Sequence, residues 1–192
     1  ISADTVVNYA NPSLLSGGGV CGAIHRAAGG DLELECRAIG KCSVGSAVTT
    51  MAFDLPAIAV IHAVGPRYLD GTRGEADLLR STYTAIAGIL NECKFQSVTI
   101  PSISTGIYRF PLDQACEIAV LTLKQKISIS CNVCFVCFED KQNKKKARFE
   151  IDQNKQKSVL SVMKTRKMLV LLVLTNKTNI LFDFVVLKTN KT

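Results

Sequence analysis

The stretch NPSLLSGGGVCGAIHRAAGG, Asn11 to Gly30, decides how this chain is read. Gly17, Gly18 and Gly19 stand in a row, and behind them Val20 to Ala28 has the composition of a short helix carrying Cys21 and His25. Upstream, DTVVNYA, Asp4 to Ala10, reads as a buried strand. Glycines at a strand-to-helix handover let backbone N–H groups approach an anion beside the positive end of the helix. Three glycines alone make nothing more than a sharp turn, and this run matches neither G-x-G-x-x-G nor G-x-x-x-x-G-K-[ST].

Working outward, DLELECRAI, Asp31 to Ile39, is helical, and AVTTM, Ala47 to Met51, and IAVIHAV, Ile58 to Val64, are strands by their β-branched content. From Glu75 to Glu92 the residues Leu79, Tyr83, Ile86 and Leu90 recur at intervals of four, three and four, the signature of one buried helix face. SVTIPSI, Ser97 to Ile103, is the next strand. A second loop, Ser104 to Pro111, leads into a helix to about Lys126, and NVCFVCF, Asn132 to Phe138, closes the pattern. Strands alternating with helices imply an α/β domain whose sheet is covered on both faces. Both loops sit at strand ends, where ligands of such sheets collect, and together they form a clamp suited to a phosphorylated ligand.

The 192 residues, 47% apolar and 20% charged, suit one globular domain, but the composition is uneven. All 13 glycines lie between Gly17 and Gly106 and all 5 prolines between Pro12 and Pro111. Residues 1–126 hold 10 Lys/Arg against 11 Asp/Glu, so the overall charge of +7 comes from the remainder, with 13 against 5. We therefore expect a domain over residues 1–150 and a basic, Gly/Pro-free tail over 151–192 outside it, with the composition of translated non-coding sequence. The tail lacks the Arg and aromatic mix of a nucleic-acid binder, and no nucleic-acid partner is expected. Nor is a membrane: MLVLLVL, Met168 to Leu174, is far short of the roughly 20 apolar residues of a span. Ile1 at the start reads as an N-terminally incomplete chain.

Eight cysteines without regular spacing read as reduced thiols of an intracellular protein. Cys131, Cys134 and Cys137 lie on a strand pattern that turns the middle one away from the other two, so no metal is expected there.

Taken in order, VVNYANPSLLSGGGVCGAIHRAAG, GKCSVGSAVTT, VIHAVGP and IPSISTGIYRFPLDQACEIAV resemble the macro domain family. The likeness is strongest to its MacroD-type branch and the bacterial O-acetyl-ADP-ribose deacetylases, and it covers about residues 3–140. It implies a three-layer α/β/α fold with a mixed central sheet, here without the family's N-terminal strand. It also implies binding of ADP-ribose, O-acetyl-ADP-ribose or a mono-ADP-ribosylated protein, with no cofactor. By position, Asn11 corresponds to the distal-ribose asparagine. Gly17, Gly18, Gly19 and Val20, with Ser104, Thr105, Gly106, Ile107 and Tyr108, correspond to the two loops that hold the diphosphate and distal ribose. His25 corresponds to a histidine one turn past the catalytic aspartate; a direct role and a packing role both stay open for it. His62 reads as structural.

Where hydrolytic members read GGGVDGAIH, this chain reads GGGVCGAIH. An aspartate is a carboxylate at neutral pH that orients and partly deprotonates the attacking water, whereas a thiol is ordinarily neutral there. Cys21 thus occupies the catalytic position without the catalytic group. NYAN stands for the family's N-A-A-N, GIYR for G-I-Y-G and VG for T-G after the G-C pair, and the G-D-I-T segment that receives the adenine is absent. Tyr9 and Arg109 add bulk near the site, and Arg109 is also able to pair with a phosphate. Three function classes follow: an ADP-ribose reader, favoured by Cys21; an active ADP-ribosyl hydrolase or deacetylase; and a truncated relic that binds nothing well.

Overall fold

A computed structural model describes residues 3–139, 160–165, 168–173 and 180–188. The first part runs β1 (Thr5–Tyr9), α1 (Gly19–Ala28), α2 (Gly30–Ile39), β2 (Ser46–Met51), β3 (Ala59–Val64), α3 (Glu75–Cys93), β4 (Ser97–Pro101), α4 (Leu112–Lys126) and β5 (Cys131–Glu139). Its five strands form a mixed sheet in the order β2-β3-β1-β4-β5, with β2 antiparallel to β3 and the other pairs parallel. Three further strands, β6 (Leu160–Thr165), β7 (Met168–Val173) and β8 (Ile180–Lys188), continue the order as β8-β7-β6 beyond β5. There β8 runs parallel to β5, from Cys131 opposite Ile180 to Glu139 opposite Lys188.

The strand pattern of AVIHAV is explained by burial on both sides: every residue of β3 is buried. Ala59, Ile61 and Ala63 point to a core shared with Leu79, Tyr83, Ile86 and Leu90 of α3 and Ala115, Ala119 and Leu123 of α4. Val60 and Val64 point the other way, to a smaller core with Ala28 of α1 and Leu32 and Cys36 of α2. The result is the expected α/β/α sandwich, because period-2 alternation on the strands meets an apolar helix stripe on each side. The α3 face read from its spacing is the buried face.

Boundaries shift where side chains intervene. β4 ends at Pro101 rather than Ile103, because the Ser102 carbonyl accepts from Thr105 Oγ1 at 3.1 Å and the chain turns into the second loop. The loop before α3 is tied down by Glu75, buried within the fold. Its Oε1 accepts from the N–H groups of Leu69, Asp70 and Gly71, and its Oε2 from Arg73 N at 2.7 Å. Burial opposes the charge, but these backbone donors outweigh it and draw the carboxyl down to about 2.

Candidate functional site

The two loops leave the C-terminal ends of β1 and β4, which are neighbours in the sheet. Parallel pairing therefore delivers both loops to the same edge of the domain. In the first, Asn11 is held by its own loop: Nδ2 donates to the Leu15 carbonyl at 2.8 Å, and Oδ1 accepts from Ser13 N at 3.1 Å and Ser13 Oγ at 2.6 Å. Gly17 lies against it, since a Cβ there would sit 3.7 Å from Asn11 Nδ2. Gly17, Gly18 and Gly19 are exposed, and a Cβ at Gly18 or Gly19 would meet no protein atom within 4 Å. Packing does not demand those glycines. Gly19 has φ +61, which favours glycine, while Gly18 has an ordinary φ of −82. Gly22 is different: its Cβ would lie 2.1 Å from the Gly17 carbonyl oxygen, so the loop folds directly onto the first turn of α1.

Helix α1 starts at the end of this loop with no side-chain cap at Gly18 and no acidic residue in its first turn. Its first N–H groups therefore stand at the positive end of the helix dipole without a side-chain acceptor. In the second loop, Ser104 is buried with φ +65 and Arg109 is exposed with φ +58. The turn is closed by Arg109 N to the Gly106 carbonyl at 3.0 Å and Phe110 N to the Ser104 carbonyl at 2.9 Å. Gly106 and Ile107 are exposed, Thr105 and Tyr108 half-buried. Tyr9, at the end of β1, meets Tyr108 edge-on with ring centroids 5.2 Å apart, and burial pushes its phenol up. Tyr9 thus packs against the second loop.

Cys21 and His25 lie behind the first loop, only 7% and 5% exposed. Cys21 Sγ accepts from Asn8 Nδ2 at 3.6 Å and donates toward the Leu15 carbonyl at 3.8 Å. Neither ring nitrogen of His25 has a hydrogen-bond partner, and burial lowers its pKa against the opposing pull of Glu33. His62, fully buried, is the hub beneath. Its Nδ1 is 3.1 Å from Asn8 Nδ2, its Nε2 is 3.0 Å from Thr50 Oγ1, and Cys36 Sγ approaches both nitrogens at 3.9 and 3.7 Å. Burial, assisted by neighbouring His25, pushes His62 down to about 4, and burial pushes the Cys36 thiol up to about 11.

Ligand atoms of His25, Cys36 and His62 come within 4.8 Å of one another, a separation that invites a metal. The donor set does not fit one, because both ring nitrogens of His62 are already engaged, Nδ1 with Asn8 and Nε2 with Thr50. Asn8, Cys36 and Thr50 were passed over in the sequence. The available signal was Asn8, a polar residue in the middle of an otherwise apolar strand. Among the described cysteines Cys131 is buried and Cys134 half-buried, and Cys137's side chain lies outside the described residues.

The Macro domain family profile matches residues 7–119. This chain belongs to the macro domain family. A macro domain-containing protein of Mesorhizobium japonicum is 47% identical over 146 residues, spanning 73% of this chain and 82% of its own length. The O-acetyl-ADP-ribose deacetylase of Klebsiella pneumoniae is 45% identical over 148 residues, 73% of this macro domain chain and 85% of the relative. Among solved structures, the Oceanobacillus iheyensis macrodomain with ADP superposes with a TM-score of 0.68 at 35% identity, covering 72% of this chain and 77% of that one. The Trypanosoma brucei macrodomain in complex with ADP-ribose gives 0.65 at 35% identity, covering 71% and 58%. The macro domain fold, its α/β layers included, is thereby established for this chain. Among the described residues no helix is long and apolar enough to cross a membrane.

Proposed function

We propose that this macro domain binds ADP-ribose between the Gly17–Val20 and Ser104–Tyr108 loops, and acts as a reader whose hydrolytic chemistry is impaired at Cys21. The observation that carries the reading is the uncapped N-terminus of α1 behind glycines that no packing contact requires. Backbone donors at a positive helix end, with no side chain in front of them, suit a diphosphate. Asn11, locked by Leu15 and Ser13, is a rigid group for the distal ribose. The relatives add weight, since two solved macrodomains carry ADP or ADP-ribose.

Calorimetry with free ADP-ribose tests it. Gly18 has an extended backbone and open space at its Cβ, so Gly18→Glu is accommodated without strain and sets a carboxylate against the diphosphate. Binding should fall by about 100-fold or more, as expected for an unpaired like charge in contact. Unchanged affinity in that variant removes the assignment. A second reading, an O-acetyl-ADP-ribose deacetylase or ADP-ribosyl hydrolase, is favoured by the Klebsiella relative's activity. Position 21 favours the reader, because a thiol bonded to Asn8 and Leu15 supplies no carboxylate to activate water. A mono-ADP-ribosylated protein is the partner we assign to the reader, within a reducing, intracellular compartment that suits the buried thiols of Cys21, Cys36 and Cys42. The site residues all fall within 1–150, the span we assign to the functional domain.

A further inference from the structure

We infer that His62, backed by Thr50, is a positioning residue that fixes the amide of Asn8 so that an N–H faces whatever side chain stands at position 21. The inference deepens the reading above, for it concerns how the residue at position 21 is presented to the ligand site.

With the Thr50 hydroxyl given to Met51, the contacts share one placement of protons, and Cys36 Sγ, 3.9 and 3.7 Å from the two ring nitrogens, fits it as acceptor from Nε2–H. Thr50 Oγ1 donates to the Met51 carbonyl at 3.0 Å, so toward His62 it has only a lone pair to offer. His62 Nε2, 3.0 Å away, must then carry the ring proton and donate it. A neutral imidazole protonated at Nε2 is bare at Nδ1, which accepts from Asn8 Nδ2 at 3.1 Å. The second N–H of that amide is left for Cys21 Sγ at 3.6 Å. The chain therefore runs from the edge strand β2 through β3 and β1 to helix α1.

One atom bears the cost of this orientation. Asn8 Oδ1 is buried without a hydrogen-bond partner, a costly state for a carbonyl. Turning the amide over would offer that oxygen to the Cys21 thiol, a better arrangement if residue 21 were all that mattered. The bare Nδ1 forbids the turn, because it has no hydrogen to give the oxygen that would then face it. An N–H at position 21 suits an acceptor, a carboxylate above all, so the device is built for an acid at a position where this chain has a cysteine.

The test uses the full chain labelled with 15N-histidine. Only two histidines are present, so long-range 1H–15N correlation separates His62 from His25 readily. His62 should show a protonated Nε2 and a bare Nδ1, unchanged from pH 8 to pH 6, since burial holds the ring neutral there. Thr50→Val removes the acceptor at nearly constant shape and should move the proton to Nδ1 with Asn8 turned over, while Thr50→Ser should keep the original tautomer. A Nδ1-protonated wild type, or a tautomer that Thr50→Val leaves unchanged, overturns the inference. In the Cys21→Asp chain, Thr50→Val should lower kcat for ADP-ribose release by about tenfold with KM within about twofold, and Thr50→Ser should restore it. Loss of KM alone, or equal loss with serine, also overturns it. If Cys21→Asp shows no hydrolysis, the hydrolase reading fails while the tautomer measurements still decide the relay.

Discussion

On the side of the sheet covered by α3 and α4, the strands present Val7, Ile61, Val98 and Ile100 to a stripe of Leu79, Tyr83, Ile86 and Leu90. On the side covered by α1 and α2 they present Asn8, Thr50 and His62, with Cys21, His25 and Cys36 packed onto them from the helices. The first side is held by contact among apolar groups, which tolerates small shifts but not missing volume. The second spends much of its interior on polar groups that need defined partners, and it leaves His25 and Asn8 Oδ1 without any. The first candidate ligand loop, which leads into α1, lies on the second side, and the second loop leads into α4 on the first. The contrast places the buried hydrogen-bonded network behind position 21 on one face and the larger apolar core on the other.

Removing volume from the apolar side gives the largest effect. Ile86→Ala, at a fully buried position, should cost about 2 to 5 kcal/mol in urea unfolding, with ADP-ribose affinity little changed below the transition. Loss of affinity at equal stability would mean that the two faces are not separate.

Acid should strike the other side. His62 titrates near 4 when folded and near 6.5 when unfolded, so the unfolded chain binds a proton more readily between those values. The stability that the neutral histidine contributes is complete above pH 6.5 and is lost as pH falls to about 4, by about 3 kcal/mol. His25 shifts in the same direction. Glu75 titrates near 2 when folded and 4.5 when unfolded, so its contribution is lost only at lower pH. Melting temperatures measured from pH 7 to pH 5 should therefore fall, and His62→Gln should flatten the curve. A flat wild-type curve would assign the buried polar side no cost.

Cys21→Asp tests what that side is for. Single-turnover release of ADP-ribose from a modified acceptor should rise by at least about tenfold, a modest share of what a general base contributes. Affinity for ADP-ribose should stay within about threefold. Equal and fast release by both forms would show that residue 21 is not the determinant, and the reader assignment would give way to a hydrolase.

The smallest effect belongs to the second loop. Arg109 holds φ +58, where a side chain costs about 1–2 kcal/mol and glycine does not. Part of the gain returns as chain entropy, so Arg109→Gly should raise stability by about 0.5–1 kcal/mol, roughly 2 °C in Tm. Tighter ADP-ribose binding in that variant would show Arg109 to be an obstruction; weaker binding would show it pairing with phosphate.

What could be read from neighbours along the chain was legible without coordinates. The α3 stripe follows from spacing, β3 from its β-branched run, and both loops from glycines at strand ends, because a helix or strand declares its buried face within a few residues. Cys21 was legible too, through the resemblance of GGGVCGAIH to the family pattern. The polar interior behind it was not. His62 meets Asn8 from 54 residues away, Thr50 from 12 and Cys36 from 26, and only the order β2-β3-β1 with its register sets Asn8 opposite His62. Local periodicity states which way a side chain points, but its partner in the core is chosen by which strands lie side by side, and that choice is made by the packing of the whole domain.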